Sequence, residues 1–147
     1  MKIVEVKENK RQYLGLLLLA DEQEDMVGRY LDKGKMYVLD DNGVKCECVI
    51  TDEGNNILEI KNIATVPEYQ GKGYARALIE FIIDNYRGKY SILQVGTGDS
   101  PLSIPFYEKC GFVRSHIIPD FFTDNYDHPI YESGIQLVDM VYLQRPL

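Results

Sequence analysis

The sequence predicts an α/β fold on a mixed, mostly antiparallel sheet, and two observations carry that prediction. Lys35–Leu39, Val44–Thr51 and Ile57–Val66 read as consecutive strands across short turns, which gives an antiparallel meander. The first of those turns, Asp40-Asp41-Asn42-Gly43, supplies residues that tolerate the left-handed backbone a hairpin needs. Then Gly73–Tyr86 carries apolar residues at 75, 78, 79, 82, 83 and 86, a helical stripe between the strands Ile57–Val66 and Tyr90–Val95. A strand, a helix and a strand in that order make a parallel pair.

The other elements follow in chain order. Met1–Lys7 alternates and predicts a first strand. Arg11–Ala20 is apolar on most sides, as a buried helix would be. Asp21 reads as the N-cap of a second helix with Glu24 as its capping-box partner; Met26, Val27, Tyr30 and Leu31 follow at helical spacing, and Gly34 closes it. Gly96–Ser100 reads as a loop, Pro101–Lys109 as a short helix, and Gly111 as its terminator. Phe112–Ile118 and Ile135–Leu143 read as the last two strands, and residues 119–134 are too polar and proline-marked for a core strand. The total is about six or seven strands and four helices.

A chain of 147 residues fits a single domain over 1–147 with one substantial core. The longest aliphatic run, Leu16–Leu19, is too short to span a bilayer, and the N-terminal segment has no signal-peptide core. The expectation is a cytoplasmic protein with no membrane partner. A net charge of −7 argues against nucleic acid, which needs a basic face. Ser115–Gln144 has no Lys or Arg but contains Asp120, Asp124, Asp127, Glu132 and Asp139. That is either a solvated acidic loop or a field that attracts a cationic substrate. Cys46 and Cys48 alternate to one side of a strand; with Cys110 they make an odd count with no zinc spacing, so they read as packing residues and no metal is implied.

The chemistry concentrates at Gln70-Gly71-Lys72-Gly73-Tyr74-Ala75-Arg76, between a strand and a helix. The first amides of a helix lack intrahelical partners and sit at the positive end of its dipole, and glycine lets backbone approach a phosphate. Lys72 and Arg76 add charge. There is no Walker A pattern, and Arg76 stands where a dinucleotide fingerprint needs its third glycine. A general phosphate-binding protein remains open at this point.

Ser103-Ile-Pro-Phe-Tyr-Glu-Lys-Cys-Gly-Phe112 adds a second motif. Together the two segments resemble the GNAT superfamily of acetyl-CoA-dependent N-acetyltransferases, the first its Gln/Arg-x-x-Gly-x-Gly/Ala pyrophosphate motif, the second its C-terminal motif. The predicted strand and helix order matches over nearly the whole chain, and Leu16–Asp21 with Val95–Gly98 resemble small single-domain bacterial members. The resemblance implies that the twisted sheet splays at the strand before the loop. It implies acetyl-CoA as co-substrate, with the pyrophosphate on Gln70, Gly71, Lys72, Gly73, Tyr74, Ala75 and Arg76. It also implies a pantetheine arm alongside Ile63, Ala64 and Thr65. Ser100 stands where many members have an asparagine that contacts the pantetheine; it or Asp99 substitutes, or the contact is lost.

The implied reaction is direct attack of a primary amine of a small molecule or peptide on the thioester. Glu59 matches a family general base, and simple alternation puts it on one face with Lys61 and Ile63; the competing reading is a strand glutamate paired with a lysine. Tyr107 matches the tyrosine that protonates the departing thiolate, and the competing reading is a core aromatic. Pro105 either kinks that helix or marks its first turn. His128, Phe121 and Tyr126 are candidates for the acceptor side, with His128 equally a surface residue; the aromatic cluster Phe121, Phe122, Tyr126 and Tyr131 is either a binding wall or a dimer contact. His116 is a weaker candidate base. A monomer and a homodimer both fit, and so does a non-catalytic acyl-CoA-binding regulatory or interaction module.

Overall fold

The computed structural model describes all residues, 1–147. Strands β1 (Lys2–Val6), β2 (Lys35–Asp40), β3 (Val44–Asp52) and β4 (Ile57–Thr65) form an antiparallel meander. Helix α1 (Leu14–Ala20), preceded by a 3-10 turn, and helix α2 (Glu24–Gly28) lie between β1 and β2. Helix α3 (Tyr74–Tyr86) leads to β5 (Ile92–Gly98), which pairs parallel with β4. Then come α4 (Ser103–Lys109), β6 (Val113–Ile118), α5 (Phe121–Asn125), a two-strand ribbon of β7 (Tyr131–Glu132) and β8 (Ile135–Gln136), and β9 (Met140–Pro146). The seven-stranded sheet runs β1-β2-β3-β4-β5-β9-β6, and β9 is antiparallel to both β5 and β6. No helix is long and apolar enough to cross a membrane.

The predicted stripe of α3 is its core face: Leu78, Ile79, Ile82, Ile83 and Tyr86 are buried against Leu58, Ile60, Leu93 and Leu143 of the sheet. Cys46 and Cys48 pack there as free thiols, as their alternation requires. Ile104, Tyr107 and Phe112 extend this core beneath α4. The opposite sheet face is covered by Leu17 from α1, Val27 from α2, and Tyr30 and Leu31 from the turn that follows α2. A third cluster, Phe122, Ile130 and Leu137, lies under the segment between β6 and β9.

Several elements differ from the prediction. Helix α1 is not buried all round: Leu17 is fully covered, whereas Leu19 is exposed. Asp21 is not the N-cap of α2; Gln23 holds that position without a side-chain cap, and the Asp21 carboxylate goes elsewhere. β5 continues through Gly96 and Gly98, where a loop was expected. A Cβ at Gly96 would lie 2.6 Å from Met140 Sδ, and one at Gly98 2.5 Å from Leu137. The glycines thus admit side chains across the strand, the usual meaning of glycine inside a strand. Residues 135–143 are not one strand, because Ser133 and Gly134 turn β7 back on β8 with positive φ at both positions. Pro105 occupies the first turn of α4, where its missing N–H costs nothing.

Glu47, at the middle of β3, is fully buried and neither carboxylate oxygen has a hydrogen-bond partner. Desolvation, with no hydrogen bond to compensate it, pushes its carboxyl well above 4.5. A raised folded-state value means that the folded chain binds a proton that the unfolded chain has released. The stabilisation is complete below about pH 4.5 and is lost as pH rises through the folded value. Unfolding in urea across pH 4–8 is therefore expected to show wild-type stability falling by up to about 1.4 kcal/mol per pH unit relative to Glu47→Gln. Parallel pH curves for the two proteins would contradict a protonated Glu47.

Candidate active site

The site begins with a bulge. Across β3 and β4, Val49 faces Asn62 and Ile50 faces Ile60, so Lys61 is an extra residue in β4. A one-residue insertion reverses the alternation of side chains beyond it. Leu58, Ile60 and Ile63 consequently share the α3 face. Glu59 falls on the other face with Asn62, whose Nδ2 donates to Leu17 O and Tyr30 Oη, both at 3.0 Å. The expectation that Glu59 and Ile63 share a face failed because simple alternation takes no account of a bulge.

The pairing of β4 with β5 ends at Ile60–Val95, one residue before the bulge, although both strands continue. The sheet therefore splays where expected. Val66 donates its N–H to Lys45 O across β3. Backbone groups alternate between the two edges of a strand, so Ile63 and Thr65 turn theirs toward the splayed side, while Ala64 pairs inward opposite Glu47. This free edge runs into the 3-10 turn Pro67–Tyr69 and then into Gln70-Gly71-Lys72-Gly73. Gly71 (φ 78°) and Gly73 (φ 87°) take left-handed backbone, and a Cβ on either would meet nothing within 4 Å. The glycine requirement here is conformational, and the space above the turn is open. Gly73 caps α3 with no side chain over the first amides. Lys45 Nζ lies 4.1 Å and Lys72 Nζ 5.3 Å from the centre of the Tyr69 ring, which gathers cations beside the turn. Tyr74 is held by Asp41 (2.7 Å), Arg76 pairs with Glu80 (3.3 Å), and Ala75 packs against the core.

A cleft of about 430 Å³ passes through the splay. Ile63, Ala64, Thr65, Gln70 and Tyr107 line one part of it; Leu19, Asp21, Glu22, Phe122, Tyr126 and Glu132 line the other. Tyr107 is buried between Phe106 and Phe112, edge to face with both, and its hydroxyl has no hydrogen bond to protein. Burial pushes its phenol up, so it carries its proton at neutral pH.

The segment containing α5 is fastened over the far wall. Tyr126 Oη donates to Asp21 Oδ1 (2.6 Å), Asp127 N to Gln23 Oε1 (3.1 Å) and Arg29 Nη1 to Asn125 Oδ1 (3.2 Å). His128 lies 3.0 Å from Glu22 and 2.5 Å from Asp127, and these partners raise its pKa. Its ring belongs to the clamp and does not line the cleft. Phe121 also lies behind the lining, edge to face with Phe122, which takes the cleft position in its place. Ser100 is buried outside the cleft, and its Oγ accepts the Leu102 N–H at the start of α4. Glu59 is 3% exposed and outside the lining. Its oxygens take Gln94 Nε2 (2.5 Å), Tyr142 Oη (3.3 Å) and Lys61 Nζ (2.8 Å). His116 stacks on Tyr142 at 4.7 Å, away from the cleft lining. Sequence reasoning missed Asp21 and Glu22 as site residues. The polarity of 119–134 argued correctly against a core strand.

The profile of the Acetyltransferase (GNAT) domain matches residues 32–114. YvbK of Bacillus subtilis, described as an uncharacterised N-acetyltransferase, is 34% identical over 140 residues, covering 93% of this chain and 90% of that one. The structure superposes with a TM-score of 0.93 on a GNAT family acetyltransferase from Elizabethkingia anophelis with acetyl-CoA bound, at 33% identity over 99% of this chain and 97% of that one. A Bacillus subtilis acetyltransferase in complex with CoA gives 0.90 at 34% identity, covering 99% and 98%. The chain therefore belongs to the GNAT family, and it is an acetyltransferase.

Glu59→Gln is expected to lower stability by about 1–2 kcal/mol, because the bulge lysine loses its carboxylate while Gln94 keeps an acceptor. Urea denaturation at pH 7 measures it, and an unchanged midpoint would show that the pair does not hold the bulge.

Proposed function

We propose that this acetyltransferase moves an acetyl group from acetyl-CoA to a primary amine of a cationic small molecule or peptide, by direct attack. The observation that carries the reading is the single cleft that joins a free β4 edge and a glycine-capped helix start to a wall of carboxylates and aromatics. In this reading the pyrophosphate sits on Gln70–Ala75, where open space and the unpaired amides of 71–75 fit an anion, the Gln70 amide donating to Pro67 O, and Lys72 and Arg76 add charge. The pantetheine pairs with Ile63 and Thr65 as an added strand, which needs backbone groups not taken by a neighbouring strand; on that edge Thr65 O meets only the Gln70 Nε2, at 3.5 Å. Ser100 takes no part in this reading, because it lies outside the cleft, its Oγ accepting the Leu102 N–H.

Acyl transfer needs a neutral amine, a donor for the carbonyl oxygen as charge develops there, and a proton for the leaving sulfur. The Ile63 backbone N–H is the proposed donor to the oxygen. Tyr107 is the proposed donor to sulfur, supported by its unbonded hydroxyl at the cleft and its raised pKa. Glu59 acts one step behind, through Lys61, which does line the cleft. Asp21, Glu22 and Glu132 give the acceptor end a negative field, which favours a charged amine.

The test is thiol release from acetyl-CoA across a panel of primary amines, beside calorimetric binding of acetyl-CoA. Wild type is expected to release thiol with at least one amine. Tyr107→Phe is expected to lower kcat by about 10²-fold with acetyl-CoA affinity unchanged. Tight binding without release on any amine would favour an acyl-CoA-binding module, and competition by free phosphate as strong as that by CoA would favour a general phosphate site.

A further inference from the structure

We propose that Asp21 takes the proton of the acceptor amine, with the Tyr126 hydroxyl as the relay between nitrogen and carboxylate. The inference rests on the acetyl-transfer reading above and adds the base that it leaves unnamed.

Four carboxylates lie in or near the cleft. Glu59 is outside the lining and paired with Lys61 at 2.8 Å. Glu22 is taken by His128 at 3.0 Å, and Glu132 accepts Ser103 Oγ at 2.7 Å. Asp21 and Glu132 are the two without an ion pair, and Asp21 differs from Glu132 in having a tyrosine hydroxyl on each of its two oxygens. It lines the cleft, no cation lies within ion-pair distance of it, and both its hydrogen-bonded side-chain partners are neutral hydroxyls. Tyr126 Oη donates to Oδ1 at 2.6 Å and Tyr30 Oη to Oδ2 at 2.9 Å. Asn62 Nδ2 in turn donates to Tyr30 Oη at 3.0 Å and to Leu17 O, which orients the tyrosine from the sheet. A carboxylate held by hydroxyls keeps its negative charge uncompensated, so it remains a proton acceptor where an ion-paired carboxylate would not.

Tyr126 lines the same cleft, and its ring lies against Phe122 with centroids 5.7 Å apart. An amine in the cleft reaches Asp21 through the Tyr126 oxygen: the ammonium gives its proton to that oxygen as the phenol proton passes to Asp21 Oδ1, and Asp21 then releases it to solvent. The freed nitrogen forms the N–C bond and the C–S bond breaks. A second proton leaves nitrogen by the same route, and sulfur takes one from Tyr107, which is recharged from solvent. Ammonium and thioester thus give amide, thiol and one proton.

Burial raises Asp21 above 3.8, toward the range useful to a base, and the two tyrosine hydroxyls partly offset it. The other groups that act on this cluster are Asp25 and Glu22 from the α1–α2 segment, Arg29 beside Tyr126, Glu47 behind Tyr30, and His128 on Glu22.

The experiment is kcat against pH at saturating acetyl-CoA, with 1,4-diaminobutane leading the primary-amine panel, for wild type, Asp21→Asn and Tyr126→Phe. Calorimetric acetyl-CoA binding runs alongside. Wild type is expected to show a limb on which kcat rises with pH. Asp21→Asn should lose that limb and about 100-fold in kcat with acetyl-CoA affinity within twofold. Tyr126→Phe should lose about tenfold and move the limb to higher pH, because the carboxylate loses a hydrogen bond to its charged form. A limb that persists in Asp21→Asn with kcat within threefold of wild type overturns the proposal. If Asp21→Asn does not fold, a limb unmoved in Tyr126→Phe overturns it. Binding of acetyl-CoA by wild type with no thiol release on any amine defeats the acetyl-transfer reading, and this inference with it.

Discussion

β4 and β5 run side by side from Ile57–Ile92 to Ile60–Val95 and then part, at the residue where Lys61 is inserted into β4. An unpaired strand edge inside a protein costs free energy unless something satisfies its amides and carbonyls. Here the parting opens a cleft through the sheet instead of a sealed defect. The glycine turn starts where the free edge ends, so the geometry for a long ligand with a phosphate at one end follows from a single interruption of strand pairing. The bulge also turns Glu59 and Asn62 to the face opposite Ile63, which sets one side chain to hold Lys61 and the other to hold Tyr30.

The two walls of the cleft differ in construction. On the α3 side it is core: Tyr107, Ile63 and the start of α3 are packed into the largest hydrophobic cluster and have little freedom. On the other side it is a cap, the segment around α5, tied to residues 21–29 by polar contacts. That division suits a protein with a constant co-substrate and an acceptor that must enter and leave. Loops positioned by a rigid frame commonly carry the variable part of a site. Asp21 joins the walls, since it receives Tyr126 from the cap and, through Tyr30, is linked to Asn62 of the sheet.

Much of the frame was legible in the sequence because it rests on local rules. The hairpin turn, the stripe of α3 and the strand–helix–strand order predict the meander, the parallel pair and the turn between them. The resemblance of two short motifs then located the splay. What escaped depends on register or on distant partners. A bulge at Lys61 has no signature in residue type, so Glu59 was turned to the wrong face. Gly96 and Gly98 looked like a loop because nothing local shows that Met140 and Leu137 cross above them. Asp21 has the chemistry of an N-cap, and only the fold brings Tyr126 to it from 105 residues away. Of the acceptor-side candidates chosen for residue type, the cap directs Tyr126 to the cleft and turns His128 and Phe121 away from it.

The central claim is that the splayed edge of β4 is a vacant strand partner for the co-substrate. Amide hydrogen exchange at Ile63 and Thr65, with and without saturating acetyl-CoA, tests it most directly. In the free protein these two amides should exchange faster than those of Asn62 and Ala64, which face β3, and acetyl-CoA should slow both by at least about tenfold. Saturation by acetyl-CoA that leaves their exchange unchanged would mean that the ligand does not pair with this edge, and the account built on it would be wrong.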